Sequence, residues 1–364
     1  MRSLNFWQRF DYVLLGTTVL LIIFGVLMIR SATIDAVDPD LIRRVPDQIR
    51  YAVIGVLLVF GLAAMDYRLL GSLHFWLYLL MLFLLLLVFF FGVEGDGGAR
   101  SWLNLGIRIQ PAEIAKVLII VTLAWHLSNR YQEMHRLTTV IGSGIHVAIP
   151  TALIFIQPDL GTTIVFIVIW LTMIWAAGLT MRHIALFLMV GVVSAPLIWT
   201  QMEPYQRQRI FTFIARDADP DNYFNIRQAR VAIGSGGWVG KGYAQGSQNQ
   251  LRFLRVRHTD FIFAVIAEEF GFVGSVAVLG LIAIVILRIL HGARVAADAL
   301  GSMICYGVAA IIFFQTVVSI GMNLELLPVT GLTLPFVSSG GTALLSMLAG
   351  IGLAESVIIR RRRI

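Results

Sequence analysis

Apolar residues in this chain come in long, nearly unbroken runs, without the alternation of a half-buried strand. About ten such runs cover 11–31, 50–65, 74–93, 112–129, 138–156, 160–178, 182–201, 261–288, 298–322 and 340–359. A helix needs about 20 mostly apolar residues to cross the hydrocarbon core of a bilayer, so each run predicts a span. The fold class expected is an all-α integral membrane protein of about ten transmembrane helices, with residues 1–364 forming a single polytopic membrane domain. Short turns join most spans. The longer connections, 32–49, 94–111, 202–260 and 323–339, all fall on one side, and the largest of them, 202–260, lies between spans seven and eight. Function is expected where these four segments converge.

Composition sharpens this picture. Hydrophobic residues make up 58% of the chain and charged residues only 13%. Mean hydropathy is +0.83, which excludes an ordinary soluble domain. The first run is longer than a signal-peptide core and lacks a small-residue cleavage site, so it is read as a retained span. The single cysteine, Cys305, lies within a span and is expected to pack as a small apolar residue.

Charge sets the expected orientation. Arg2 and Arg9 precede the first span and Arg360 to Arg363 follow the last. An even number of spans puts both termini on one side, and the positive-inside rule makes that side the cytoplasm. The opposite side is basic as well, with Arg43, Arg44, Arg50, Arg100 and Arg108 in its shorter loops and many more in 202–260. A basic surface above a membrane cavity suits an anionic ligand, and arginine suits phosphate because its planar fork makes two hydrogen bonds at once. Attraction to anionic lipid headgroups explains the same charge equally well.

Within 202–260, the stretch Pro204 to Arg209 predicts a short interfacial helix, Asp217 to Asn222 is turn chemistry, and 223–233 predicts an amphipathic helix. The glycine cluster Gly234 to Gly242 fails as a nucleotide-binding loop. Ser235 stands where its first glycine belongs, and Gly242 where Ser or Thr would hold magnesium. A tight turn at the membrane surface is expected instead. The most informative segment is Arg257 to Phe263, where a polar loop runs into an apolar helix and leaves Asp260 at the mouth of a span, ahead of Glu268 and Glu269.

Three other constellations carry potential chemistry. Gln110-Pro111-Ala112-Glu113-Ile114-Ala115-Lys116 opens a helix with proline in its first turn. Glu113 and Lys116 share one face at this spacing, either as an internal ion pair or as a cavity wall in which Lys116 holds a phosphate and Glu113 positions it. Asp159, in Gln157 to Gly161, either caps the next helix or faces the same cavity. The Pro- and Gly-punctuated segment 327–341, with Ser338, breaks a span where irregular backbone must be buried or line a cavity. His258, Asp260 and Ser338 do not have the spacing of a hydrolytic triad, no metal-ligand spacing recurs among the seven histidines, and no nucleic-acid partner is expected.

These stretches, together with Gly98 to Leu103, Tyr205 to Arg209, Ala232 to Gly237 and Leu327 to Gly331, resemble in order and spacing the SEDS family of peptidoglycan polymerases, over roughly 45–360. The wording Arg257 to Phe263 and the short N-terminus resemble the elongation, rod-shape branch more than the division branch. The resemblance implies a ten-span glycosyltransferase that polymerises lipid II at the outer face of the bacterial plasma membrane and releases undecaprenyl diphosphate. It implies that Asp260 matches the family's essential aspartate, and that Arg100, Trp102, Arg108, Gln110, Glu113, Lys116, Asp159 and Ser338 match positions of the substrate cavity. Arg207 is placed with them as substrate-binding. The partners implied are a class B penicillin-binding transpeptidase and other membrane proteins of the elongation complex. No cofactor is required by the pattern, although a divalent cation, Mg or Mn, is compatible with it. Arg255 and Val256 depart from the family's usual Pro and Glu, Glu325 from a Gly, Thr333 from a Pro and Ser339 from a Tyr.

The chemistry expected is an inverting transfer with Asp260 as base and Arg100, Arg108 and Lys116 neutralising the departing diphosphate. The alternative is a flippase for the same lipid, which needs polar residues along a path through both leaflets. A scaffold for other wall enzymes would leave Asp260 dispensable.

Overall fold

Polar caps and prolines at helix starts decide where each apolar run becomes a span. The computed structural model describes residues 7–34, 38–94, 100–104, 108–215, 220–251, 253–254 and 256–362. In chain order the helices are α1 (Tyr12–Thr33), α2 (Pro39–Ala64), the short α3 (Tyr67–Ser72) and α4 (His74–Phe91). Three short strands follow, β1 (Val93–Glu94), β2 (Arg100–Asn104) and β3 (Arg108–Ile109). Then come α5 (Pro111–Asn129), α6 (Leu137–Ile156), α7 (Leu160–Ala176) and α8 (Met181–Gln201). The large connection holds α9 (Pro204–Ile214), α10 (Pro220–Ser235) and α11 (Ser247–Gln250), and the chain finishes with α12 (Ile262–Val295), α13 (Ala299–Asn323) and α14 (Gly341–Ile359).

Among the described residues nine helices are long and apolar enough to cross a membrane. The apolar helix α7, 17 residues long, falls just short of that length and lies in the remaining hydrophobic run, 160–178. α2 starts eleven residues before its apolar run, because the Asp38 carboxylate caps it by accepting from Asp40 N–H at 2.9 Å and Pro39 supplies a preorganised first turn. It therefore stands about 16 Å beyond the membrane-spanning part, into a region expected to be loop. The 94–111 connection is likewise ordered in part, as an antiparallel β1–β2–β3 sheet pairing Val93 with Trp102 and Leu103 with Ile109. The helices expected near 204–209 and 223–233 are present as α9 and α10.

α5, α13 and α14 form the enclosed centre of the bundle. α14 lies closest to α2, where small residues let the backbones meet: a Cβ on Gly352 would stand 3.0 Å from Val59 Cα. Between membrane helices such close approach replaces the hydrophobic drive that lipid cannot supply. α8 is peripheral and buries none of its apolar stretch against the rest of the chain.

Both chain ends gather at one end of the bundle. There Arg288 pairs with Asp11 at 2.6 Å, Asp11 N–H donates to the buried Glu355 at 3.1 Å, and Arg360 donates to Ala63 O at 3.0 Å. Arg68 and the Tyr67 hydroxyl both donate to Asp298, which caps α13. The other end carries the large connection.

At that end α12 is discontinuous. Gly271 adopts φ 65° and ψ −160°, which breaks the helix into a short segment 262–270 and a long one. The glycine turn of the large connection fills the break. Lys241 N–H donates to Glu268 O at 3.0 Å and Gly242 N–H to Glu269 O at 2.9 Å, while Phe272 and Val273 N–H donate to Gly237 O and Trp238 O. The backbone groups freed by the kink are thus satisfied by the loop, as burial demands. Only glycine fits at Gly240, where φ is 79° and a Cβ would stand 2.2 Å from Glu269 O. The tight turn expected of the cluster is therefore a wedge in a span.

Candidate active site

Asp260 ends the polar loop immediately before the short segment of α12, and its backbone is held from three directions. Ser339 N–H donates to His258 O at 2.9 Å, Ser338 Oγ to Thr259 O at 2.9 Å and Asn323 Nδ2 to Asp260 O at 2.8 Å. Three consecutive carbonyls are thereby tied to the end of α13 and the 334–340 segment. Arg257 and His258 are buried, with Arg257 Nε donating to Ala32 O, whereas Asp260 keeps partial exposure. Ser338 also accepts from Leu334 N–H at 2.9 Å, which folds the Pro/Gly-rich segment back on itself.

Gln48 of α2 joins this turn to α14. Its Nε2 donates to Ser338 O and its Oε1 accepts from Gly340 N–H, each at 3.3 Å. In the first turn of α14, Thr342 Oγ1 accepts from Gln110 N–H at 3.3 Å, and one turn further on Ser346 Oγ donates to Glu113 at 3.1 Å. Positions four apart on α14 thus meet positions three apart at the start of α5, the face-to-face match that helical spacing dictates. Glu113 in turn accepts from Lys116 Nζ at 2.7 Å, with Lys116 completely buried. The ion pair that the spacing allowed is formed, and a phosphate would have to displace Glu113 to reach this ammonium.

Gln110 Nε2 continues the line to Asp159 at 3.1 Å. Asp159 caps α7, accepting from Thr162 N–H at 3.0 Å and Thr162 Oγ1 at 2.9 Å. Its carboxyl is enclosed by protein yet keeps some accessible surface. Burial pushes its pKa up, against the two Thr162 bonds and the Lys116 charge that pull it down. Of the two roles open to Asp159, the structure shows the helix cap. Tyr205 of α9 reaches over it to donate to Pro158 O, and Arg209 lies 5.5 Å over the Tyr205 ring and 3.5 Å from Val329 O.

Among the residues expected at the site, Gln110, Glu113, Lys116, Asp159, Ser338 and the Asp260 turn therefore form one connected wall along 338–346. Arg108 is exposed on β3, and Trp102 is half-buried on β2. Arg100 is described by its backbone alone, paired with Glu94. Arg207 instead caps the end of α8, donating to Thr200 O at 2.9 Å. Gly98, Ala99 and Arg255 lie outside the described residues. Gln48, Asn323, Thr342 and Ser346 were not singled out from the sequence; for the last three the signal was an isolated amide or hydroxyl in apolar surroundings, and for Gln48 there was none.

Glu325, which replaces a usual glycine, sits at φ 58° and is buried. It accepts from the Tyr223 hydroxyl at 3.0 Å and Arg230 at 2.9 Å, one face of α10. A left-handed conformation costs a side chain about 1–2 kcal/mol, and here the charged contact to the loop helix offsets it.

Compared with known families, residues 12–363 match the FtsW, RodA and SpoVE cell cycle protein family. The chain belongs to that family. It is 36% identical over 361 residues to the peptidoglycan glycosyltransferase MrdB of Escherichia coli (strain K12), covering 98% of this chain and 96% of that protein. Among solved structures it resembles one described as a peptidoglycan synthase complex that coordinates polymerisation and crosslinking, with a TM-score of 0.83, 32% identity and coverage of 97% and 98%. It also resembles the crystal structure of the rod shape determining protein RodA of Thermus thermophilus, with a TM-score of 0.72, 31% identity and coverage of 97% and 98%. The likeness extends over nearly the whole chain.

Family membership leaves the stability of the buried pair to physics. Lys116→Met is expected to leave Glu113 uncompensated and to cost about 3–5 kcal/mol. Adding Glu113→Gln is expected to return much of that, because both charges are then gone. Thermal unfolding of the two purified variants in detergent measures the difference.

Proposed function

We propose that this protein is a peptidoglycan glycosyltransferase that polymerises lipid II at the outer face of the plasma membrane, in cell elongation and shape. The observation that carries the reading is the connected wall along 338–346, which joins the Asp260 turn to Gln110, Asp159 and the Glu113–Lys116 pair. Full-length similarity to a peptidoglycan glycosyltransferase supports the same reaction class. On this reading both termini are cytoplasmic, as the arginines flanking the first and last spans favour.

In the reaction, Asp260 takes the proton of the acceptor sugar hydroxyl. That oxygen attacks the anomeric carbon of the donor, the bond to the α-linked diphosphate breaks, and undecaprenyl diphosphate leaves from a β-linked product. The residues proposed to neutralise the leaving diphosphate are Arg209 and the exposed Arg108, with Arg100 assigned the same role on the resemblance alone, while Lys116 balances Glu113 beneath the surface. Among the described residues no three His, Cys, Asp or Glu side chains cluster. A magnesium or manganese ion would accordingly take most of its ligands from diphosphate and water, and no step above is routed through one. The partner proposed is a class B penicillin-binding transpeptidase, with other elongation-complex membrane proteins around it; the resemblance to a complex that couples polymerisation to crosslinking supports this.

The test is incubation of purified protein and its transpeptidase with fluorescent lipid II, followed by electrophoresis. Long glycan is the expected product. A folded, partner-bound protein that makes none but moves the lipid between leaflets of a vesicle would replace the polymerase with a flippase.

A further inference from the structure

Asn323 ends α13 completely buried, and its amide uses every contact it makes on backbone. Nδ2 donates to Ser319 O, one turn back on its own helix, at 2.7 Å. The other two bonds leave the helix: Nδ2 to Asp260 O at 2.8 Å, and Oδ1 from Ala264 N–H at 3.1 Å. α12 begins at Phe261 with no side-chain cap of its own. Asn323 therefore supplies from another helix the acceptor that an N-cap side chain would normally provide, and with the same amide it grips the carbonyl of Asp260.

We propose that Asn323 is a positioning residue for the reaction, fixing the Asp260 backbone relative to the first turn of α12 and thereby the aim of its carboxylate. The inference rests on the reading of Asp260 as the base. Ser338 and Ser339 hold the two preceding carbonyls, at Thr259 and His258, and Asn323 holds Asp260 itself together with the first turn of the helix that follows. Because this anchor sits at the end of α13, the aspartate is referenced to the enclosed centre of the bundle instead of to the large connection. A displacement of about 1 Å in a reacting group costs about 100-fold in rate, so a pin on this one carbonyl has leverage on turnover without touching substrate.

The experiment compares Asn323→Leu, which is close in shape and makes none of the three bonds, with Gln315→Leu and Asp260→Asn, in the complex with the transpeptidase and with fluorescent lipid II as substrate. Gln315 lies two turns earlier on α13, also buried, and its amide makes no hydrogen bond among the described residues. Rates are read well below the unfolding midpoint of every variant. The expected result is a kcat about 10–100-fold lower for Asn323→Leu with KM within about threefold, and near wild-type values for Gln315→Leu. A kcat near wild type in Asn323→Leu, or a loss matched in Gln315→Leu, overturns the pin while an inactive Asp260→Asn leaves the base standing. An active Asp260→Asn removes the base, and the pin with it. If the leucine variant fails to fold, Asn323→Ser carries the same readings: its hydroxyl retains the local bond to Ser319 O but is too short to reach Asp260 O.

Discussion

Asp260→Asn is expected to lower lipid II polymerisation by about 10²–10⁴-fold, the range over which a positioned acid–base group acts. The substitution removes one ionisable oxygen and almost no volume. The contacts that hold the turn, from Asn323, Ser338 and Ser339, all go to backbone carbonyls at 258, 259 and 260 and survive it. Thermal unfolding should therefore stay close to wild type while glycan disappears from the gel. A variant that keeps its rate to within about threefold of wild type would remove proton abstraction by Asp260 from the mechanism.

Gly236→Ala is expected to be strongly damaging, although it adds a single methyl group to the large connection. A Cβ there would lie 1.9 Å from Ala267 O and 2.8 Å from Ala267 C, both backbone atoms of the short segment of α12. Neither can rotate away, so either the wedge leaves the helix break or the segment bearing Asp260 moves. A loss of about 3 kcal/mol and a fall in polymerisation of about tenfold or more should appear together. Gly234→Ala, two residues earlier with nothing within 4 Å of its Cβ, should be neutral or stabilising by up to about 1 kcal/mol. Similar behaviour of the two variants in unfolding and activity assays would mean that the glycine turn is not tightly docked.

The spans were legible because a bilayer admits few ways to satisfy a backbone, and an apolar run of sufficient length has essentially one outcome. Local pairs were legible too: Glu113 with Lys116 and Asp159 with its own helix start depend only on spacing along one element. Three features were not. The start of α2 lies in polar sequence, where Asp38 and Pro39 decide and hydropathy has no voice. The break in α12 hides within one apolar run, because Gly271 reads as an ordinary span glycine until Gly236 to Gly242 approach it from a distant part of the chain. Gln48 and Asn323 are single amides whose partners lie in non-helical segments 290 and 63 residues away. A lone polar residue in a span signals that it must be satisfied without saying by what.

The divided α12 has a consequence for biogenesis. As the chain enters the membrane, residues 262–295 present themselves as one continuous greasy stretch and have no reason to kink. The turn that stabilises the kink lies ahead of them in sequence and, with both termini cytoplasmic as proposed, must first be delivered to the far side. The atoms that satisfy the exposed carbonyls of Glu268 and Glu269 then return to them from there. Insertion and completion of the catalytic centre are thus separate events, and the second follows the first. A lesion in the glycine turn would yield protein that still integrates into the membrane but polymerises poorly, a phenotype easily mistaken for loss of a substrate-contacting residue.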